Sequence, residues 1–294
     1  MTDDAGLTVG GALRQAAQRL AATSDTARLD AEMLMAHALG CSRTDLLLRH
    51  MAGDVPAAFA ALVERRERHE PVAYIVGSAE FYGLELAVTP AVLIPRGDTE
   101  TLVEAAREAF AHRAPPRRIL DLGTGSGALL LAALSLWPEA EGVAVERSAA
   151  ALGVARANGA RHAPAARFIE GDWTRPGWSE GLGRFDLVLS NPPYVEEAAD
   201  LDPSVRAHEP AEALFAGPEG LDDYRLLIPQ LPGLLAEHGL AVIEIGWTQA
   251  QAVSALACDA GMTARLHRDL AGRERAVEMA KLANIPLGKP AAGH

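Results

Sequence analysis

The sequence predicts an α/β protein in which a doubly wound, Rossmann-like parallel sheet follows a small N-terminal helical domain. Up to about Glu70, apolar residues recur at three-to-four-residue spacing, which is typical of amphipathic helices. From residue 96 onward, short apolar strands alternate with helix-length segments, the pattern of a parallel sheet covered by helices on both faces. The chain has 294 residues and is 49% hydrophobic, so it can form a substantial core.

The first 70 residues are expected to form a helical bundle. Gly40 stands where a helix-stop glycine belongs, and Pro56 lies near the first turn of a later helix. The segments with helical spacing are LTVGGALRQAAQRLAAT, TARLDAEMLMAHALG, SRTDLLLRHM and PAAFAALVERRERHE.

Residues 71–95 change to aromatic and β-branched side chains that are interrupted by Gly77, Gly83 and Pro90, which indicates a β-hairpin linker. Residues 96–285 are expected to form the sheet domain, and the tail 286–294 is expected to be loose. The predicted parallel strands are RRILDL, EGVAVE, ARFIEG, RFDLVLS and GLAVIEIG, with TARLHRDL and RAVEMAKL closing one edge.

Composition narrows the function. The net charge of −12 gives no general attraction to phosphate backbones, so a nucleic-acid substrate would need a local basic patch. Cys41 and Cys258 lie far apart without CxxC spacing, so we expect buried thiols and neither a disulfide framework nor a metal site. The N-terminus MTDDAGLTVGG lacks the basic residues of a signal peptide, and no apolar run reaches membrane-span length; we therefore expect a cytoplasmic protein with no membrane association.

The first predicted strand of the sheet domain runs into a glycine-rich turn, DLGTGSG. Gly123, Gly125 and Gly127 would let the backbone turn tightly and let a ligand lie against bare main chain. A plain strand-to-helix turn is the alternative. The G-x-G-x-G spacing is tighter than that of a dinucleotide site, which favours a nucleoside ligand without a pyrophosphate, and S-adenosylmethionine is such a ligand.

Two later strand ends supply further candidate ligand contacts. Glu146 lies about 20 residues past the glycines, where an acid can accept both hydroxyls of a ribose; a solvated strand end or a partner of Arg147 is the alternative. Asp172 and Trp173 end the third strand and offer an acid and a flat apolar face suited to adenine. Trp173 taken alone is better explained as a core residue.

The fourth strand ends in Asn191, Pro192, Pro193 and Tyr194. In a doubly wound sheet the strand order reverses between the first and fourth strands, so this NPPY loop should lie beside the glycine turn. The prolines stiffen the loop and remove two N–H donors. What remains is an acceptor pair, the Asn191 side-chain oxygen and the Pro192 carbonyl, with the Tyr194 ring as a stacking face.

Such a loop suits a planar amide or an exocyclic amine. The nitrogen lone pair of an amide is delocalised, and two acceptors outside the amide plane would favour a pyramidal nitrogen that is aimed at an activated methyl group. A structural Asn-Pro turn is the alternative for the loop. An enzyme that methylates adenine or guanine amino groups and a nucleoside-binding module without chemistry also stay open at this point.

Several stretches together carry a family resemblance: ARLDAEMLMAHALG, YIVGSAEFYGLELAVTPAVLIPRGDTE, DLGTGSGALLLA, GDW, FDLVLSNPPYV, EPAEALFAGPEGLDDYR, AVIEIGWTQ and DLAGRERAVEM. With them the chain resembles the release factor N(5)-glutamine methyltransferases, the HemK/PrmC family, over nearly its whole length. The resemblance implies a class I S-adenosylmethionine-dependent fold. It also implies methyl transfer to the glutamine amide in the Gly-Gly-Gln loop of peptide chain release factors.

The resemblance also implies site residues, of which Asn191, Pro192 and Tyr194 would be catalytic. Expected cofactor contacts are Asp121, Gly123, Thr124, Gly125, Ser126, Gly127, Glu146, Asp172, Trp173 and Asn191; expected substrate contacts are Asn191, Pro192, Pro193, Tyr194 and Arg96.

Two departures from the family pattern stand out: Glu146 replaces the usual Asp, and GDTE replaces a version with proline after Arg96. Arg96 is a candidate substrate contact, with a surface salt bridge as the alternative. A sister group that methylates a ribosomal-protein glutamine lacks the DTE that follows Arg96, so a release factor is the preferred partner. The N-terminal helices would dock that partner or only stabilise the fold. We expect a monomer.

Overall fold

The computed structural model describes residues 7–282, so the predicted loose tail, 286–294, lies outside the described residues. Two compact units divide this part of the chain. The first comprises the chain up to Glu80 together with Glu85–Ile94 and Asp200–Ala211; the second comprises Phe81–Leu84, Pro95–Ala199 and the chain from Glu212 on.

The helices are short, and several are extended by 3-10 or π turns. Their bounds are α1 Val9–Leu20, α2 Ala27–Leu39, α3 Arg43–Asp45, α4 Phe59–Glu67, α5 Val72–Val76, α6 Glu100–Phe110, α7 Ala128–Leu136, α8 Ala149–His162, α9 Pro203–His208, α10 Asp222–Leu227, α11 Leu231–Leu234 and α12 Ala250–Asp259.

The first unit contains α1 to α5 together with α9; of these, α1 to α4 lie in the segment predicted to form a helical bundle. The Thr8 hydroxyl accepts a hydrogen bond from the Gly11 N–H and caps α1. Gly40 ends α2 with φ 66°, a left-handed conformation that glycine adopts without a steric penalty. Leu13 and Leu34 are fully buried in a core that belongs to these helices. This unit therefore has its own apolar interior.

The segment 71–95 is only partly the hairpin that its composition predicts. Its strands are β1, Ser78–Phe81, and β2, Leu84–Ala87, but Val72–Val76 forms α5. Ile75 is 5% exposed and packs in the helical core, and Gly77 at φ 81° stops the helix. Packing against the neighbouring helices therefore overrides the strand preference of the β-branched residues.

The second unit contains a seven-stranded sheet in the order β5-β4-β3-β6-β7-β9-β8. All adjacent pairs from β5 to β7 are parallel, whereas β9 is antiparallel to both of its neighbours. This order confirms the predicted doubly wound fold, with its reversal between β3 and β6. The strand bounds are β3 Arg118–Leu122, β4 Glu141–Glu146, β5 Arg167–Glu170, β6 Phe185–Ser190, β7 Leu235–Glu244, β8 Met262–Arg268 and β9 Glu274–Lys281.

The central strands are buried because helices cover both faces of the sheet, as their continuous apolar runs predict. The expectation of two buried cysteines is wrong for Cys258, which is exposed on α12, while Cys41 is half-buried. Within residues 7–282, no helix combines the length and the hydrophobicity that crossing a bilayer requires.

Candidate active site

The glycine turn and the NPPY loop leave neighbouring strands at the same level. Leu122, the last residue of β3, pairs with Ser190, the last residue of β6. The Ser190 hydroxyl donates to the Leu122 carbonyl at 2.7 Å and ties the two strand ends together. Because paired strands lie about 4.8 Å apart, Gly123 and Asn191 begin their loops side by side. The structure thus brings the two sequence-predicted halves of the site together.

The three glycines of the turn all have positive φ: 70° at Gly123, 56° at Gly125 and 89° at Gly127. A Cβ at Gly123 would lie 2.9 Å from the Trp173 ring, so that position has no room for a side chain. A Cβ at Gly125 would meet nothing within 4 Å. Gly125 therefore presents bare backbone to open space, which is what a bound ligand requires.

Two acids brace this turn. Glu146 accepts hydrogen bonds from the Gly125 N–H and the Ser148 N–H, each at 2.9 Å. Asp121 is fully buried and accepts from the Thr124 hydroxyl at 2.5 Å and the Leu130 N–H at 3.3 Å. Its Oδ1 has no hydrogen-bond partner in the part of the chain that the structure describes. Burial raises the pKa of Asp121 to about 7, against the effect of these hydrogen bonds.

A buried amide on α8 supports the turn from the other side. Asn158 Nδ2 donates to the Ser126 carbonyl at 2.8 Å, and Asn158 is 2% exposed. The side chain of Ser126 is itself buried, as is that of Thr124. Sequence reasoning did not identify Asn158, because an asparagine inside a helix has no distinctive pattern.

Trp173 serves as a core residue and as a wall of the turn. It is 7% exposed within the main apolar core, and its ring faces Gly123. Its indole N–H donates to Asp223 Oδ1 at 3.1 Å. Asp172 next to it accepts from the N–H and hydroxyl of Thr174 at 2.9 and 2.7 Å, which fixes the carboxylate in a local turn.

In the NPPY loop the prolines are buried, and the two predicted acceptor oxygens make no hydrogen bond with the described residues. Pro192 and Pro193 are buried, and Asn191 is half-buried. Asn191 Nδ2 makes a long, 3.4 Å hydrogen bond to the Thr99 hydroxyl, which turns the amide oxygen away from Thr99. Among residues 7–282, the Pro192 carbonyl accepts no hydrogen bond. The two predicted acceptors therefore remain available to a substrate.

Tyr194 is held at both ends. Its hydroxyl donates to Glu244 Oε1 at 3.0 Å, and its carbonyl accepts from Gln249 Nε2 at 3.0 Å. Burial raises the pKa of the Tyr194 hydroxyl well above its ordinary value, and the charges of Arg275 and Arg96 oppose the rise. Arg96 is therefore close enough to affect the pKa of Tyr194. Its predicted contact with the substrate stays a prediction.

Sequence reasoning missed the polar residues that support Tyr194. Gln249 also accepts hydrogen bonds from the Gly246 N–H at 3.0 Å and the Tyr224 hydroxyl at 3.4 Å, and Nε2 makes a second bond to the Gly220 carbonyl. The available signal was Glu244, an acid within the apolar strand GLAVIEIG. Carboxyl groups are rarely buried in apolar strands, so an acid at such a position is a candidate functional residue.

The sheet order and the glycine turn at its reversal point define the class I S-adenosylmethionine-dependent methyltransferases. Two family models match, the PrmC N-terminal domain over residues 11–77 and the methyltransferase small domain over residues 98–208. A solved 16S rRNA N2 G1207 methyltransferase of T. thermophilus, in complex with AdoMet and guanosine, has the same fold. Its TM-score is 0.50 and its identity 20%, over 70% of this chain and 50% of that one.

Curated relatives are much more similar in sequence. A release factor glutamine methyltransferase of Xylella fastidiosa (strain 9a5c) is 43% identical over 267 residues, covering 87% of this chain and 94% of that protein. One of Bordetella pertussis is 44% identical over 253 residues, covering 84% and 93%. The chain belongs to the release factor glutamine methyltransferase family.

Proposed function

We propose that this protein transfers a methyl group from S-adenosylmethionine to the side-chain amide nitrogen of the glutamine in the Gly-Gly-Gln motif of peptide chain release factors. By doing so it would tune translation termination in the cytoplasm. One observation carries the proposal: two open acceptors, Asn191 Oδ1 and the Pro192 carbonyl, lie beside a glycine turn that presents bare backbone. Membership of the family supports the choice of substrate.

The turn and its neighbours fit the cofactor. Gly125 leaves space for the ligand, and the Glu146 oxygens, which each accept one backbone N–H, retain lone pairs for the two ribose hydroxyls. The Trp173 ring is the apolar wall for the adenine, with Asp172 beside it. When bound, S-adenosylmethionine supplies a methyl group on a sulfonium, which is an electrophile.

The NPPY loop would prepare the nucleophile. A carboxamide nitrogen is unreactive because its lone pair is conjugated with the carbonyl, and the resulting rotation barrier is about 18–20 kcal/mol. Asn191 Oδ1 and the Pro192 carbonyl would accept its two N–H groups, and the Tyr194 face would hold the amide plane. Because the loop is stiffened by two prolines, the acceptors are oriented in advance. No base is needed, since the methylated nitrogen loses its proton to water after transfer.

The first unit is proposed to dock the release factor. Its separate core, around Leu13 and Leu34, gives it an apolar interior independent of the sheet, which a simple cap would not need. On α2, Leu29 and Met33 are 40% and 38% exposed and lie four residues apart on one face.

Replacing both Leu29 and Met33 by serine should raise KM for intact release factor several-fold and leave kcat unchanged. An unchanged KM would contradict docking at this face.

The substrate is tested by following labelled methyl groups. The protein is incubated with methyl-labelled S-adenosylmethionine and one of four acceptors: a release factor, the same factor with its loop glutamine replaced by alanine, ribosomal proteins, or total RNA. Label should enter only the intact release factor. Label in RNA alone would instead favour an exocyclic amine as the acceptor, although the net charge of −12 counts against such a partner. Label in a ribosomal protein alone would favour the activity of the sister group.

A further inference from the structure

Glu244 is the buried acid beneath the NPPY loop. It is the last residue of β7 and 2% exposed, and the Tyr194 hydroxyl donates to its Oε1. Its Oε2 makes no hydrogen bond among the described residues. A buried carboxyl group lowers the stability of the fold, because burial removes the hydration of the carboxylate. Such a residue is therefore a candidate for a functional role.

The groups that face Glu244 come from four segments. They are Tyr194 of the NPPY loop, Tyr224 on α10, Asp98 and Thr99 before α6, and Arg275 on β9. The Tyr224 hydroxyl donates to the Glu244 backbone carbonyl at 2.9 Å. Arg275 divides its charge between Asp98 at 3.1 Å and Asp269 at 3.3 Å, so it does not pair directly with Glu244.

Thr99 connects the acid to the second half of the loop. The Thr99 hydroxyl lies beside the Glu244 carboxyl group and stabilises its charged form, and the same hydroxyl accepts from Asn191 Nδ2. One carboxyl group therefore contacts two side chains, those of Tyr194 and Thr99. Through them it influences the stacking face and the amide acceptor of the site.

We propose that Glu244 is a positioning residue for methyl transfer, which holds the Tyr194 ring through its hydroxyl and the Asn191 amide through Thr99. This inference rests on the proposed function. Glu244 does not touch the substrate; it fixes the geometry of the two residues that do. Its loss should therefore lower kcat and leave the affinity for S-adenosylmethionine unchanged, because the glycine turn lies on other strands.

The protonation state of Glu244 should matter as well. Burial raises its pKa from an ordinary 4.5 to about 7, against the opposing effects of Thr99, Tyr194 and Arg275. The ionised carboxylate is the stronger acceptor for the Tyr194 hydroxyl. We expect kcat to rise as the pH passes through about 7. This rise should disappear in Glu244→Gln, which has no ionisable group at this position, and should become smaller in Tyr194→Phe, which keeps only the contact through Thr99.

A double-mutant cycle tests the proposal. Glu244→Gln and Tyr194→Phe should each lower kcat roughly tenfold. The double variant should be no slower than the slower single variant, because both changes remove the same contact. Tyr82 and Glu104 form a matched control pair, since the Tyr82 hydroxyl donates to Glu104 on the exposed surface. Tyr82→Phe with Glu104→Gln should leave kcat unchanged.

Several results would overturn the inference. Wild-type activity on release factor with strictly multiplicative losses in the cycle would show that the two residues act separately. If Glu244→Gln proved unable to fold, a pH dependence of kcat in Tyr194→Phe as large as that of the wild type would show the same. Wild-type protein that methylates no release factor would instead overturn the proposed function, and this inference with it. Calorimetry with S-adenosylmethionine confirms that each variant is folded.

Discussion

The glycine turn, residues 123–127, and the NPPY loop, residues 191–194, follow the carboxyl ends of two neighbouring central strands but differ in how they form a site. The turn uses three glycines with positive φ and gives a ligand access to the backbone at Gly125. The loop uses two buried prolines and fixes its side chains by contacts with Thr99 and Glu244. The glycine turn therefore depends on the absence of side chains, whereas the NPPY loop depends on side chains that are held in a fixed orientation.

This difference predicts which property each half controls. Changes in the turn should affect cofactor affinity, because the proposed ligand would occupy the space that the glycines leave. Changes in the loop should affect turnover at saturating cofactor, because its acceptors are proposed to act on the amide nitrogen during transfer. A variant in either segment that changes cofactor affinity and turnover to the same extent would contradict this division of roles.

The largest effect is expected for Gly125→Val. The new side chain would fill the space proposed for the ligand, and calorimetry should show that the affinity for S-adenosylmethionine falls by about a thousandfold or more. The φ of 56° at this position adds backbone strain of roughly 1–2 kcal/mol. Gly261→Val is the matched control, because Gly261 has φ 72° and also nothing within 4 Å, but it lies in the turn before β8. Similar affinity losses in both variants would attribute the effect to strain.

The next effect is on turnover. Asn191→Ala removes one acceptor for the amide, and kcat should fall by about 2–4 kcal/mol in free-energy terms while cofactor affinity stays within about twofold. The measurement is single-turnover methylation of release factor at saturating cofactor. An unchanged rate would reject the role of Asn191 in activating the amide.

Asn158→Ala provides the matched comparison in the other half of the site. Asn158 holds the Ser126 carbonyl of the glycine turn, so the same substitution there should weaken cofactor binding by about 1–2 kcal/mol and change saturated kcat little. A loss of kcat without a loss of affinity in this variant would contradict the division between the two regions.

A fourth prediction concerns the dependence of stability on pH. Because the native pKa of Glu244 is about 7 and its ordinary value is 4.5, the folded state keeps a proton that the unfolded state releases in this range. The unfolding free energy of the wild type should therefore fall relative to Glu244→Gln as the pH rises from 4.5 to 7, by on the order of 2–3 kcal/mol.

Denaturant titrations at several pH values measure this difference. Glu104→Gln is the control, because a hydrogen bond from Arg107 lowers the pKa of Glu104, so this acid gives no loss of stability in the same pH window. If wild type and Glu244→Gln keep a constant difference from pH 4.5 to 8, Glu244 does not retain its proton in the folded state.

The fold and the position of the site follow from local patterns. The apolar runs, the turn at Gly123 and the loop at Asn191 each have a signal within a few residues, and the strand reversal rule places the last two together. The same rules gave the wrong structure for Val72–Val76, where burial of Ile75 in the helical core decides the conformation.

The support for Tyr194 could not be predicted in this way. Thr99, Glu244, Gln249 and Arg275 lie on separate elements, and the strand and loop patterns that locate each element say nothing about which side chains meet. The tertiary structure alone brings them under one loop. The glycine turn is therefore easier to identify from sequence than the network that orients the acceptor loop.

The central claim is that the Asn191 oxygen and the Pro192 carbonyl hold one carboxamide beside the glycine turn. A crystal structure with S-adenosylhomocysteine and a short peptide containing the Gly-Gly-Gln motif tests it most directly. We predict that the glutamine amide nitrogen donates to both oxygens, at about 2.7–3.2 Å each. A glutamine side chain bound away from this loop, or held by neither oxygen, would contradict the account.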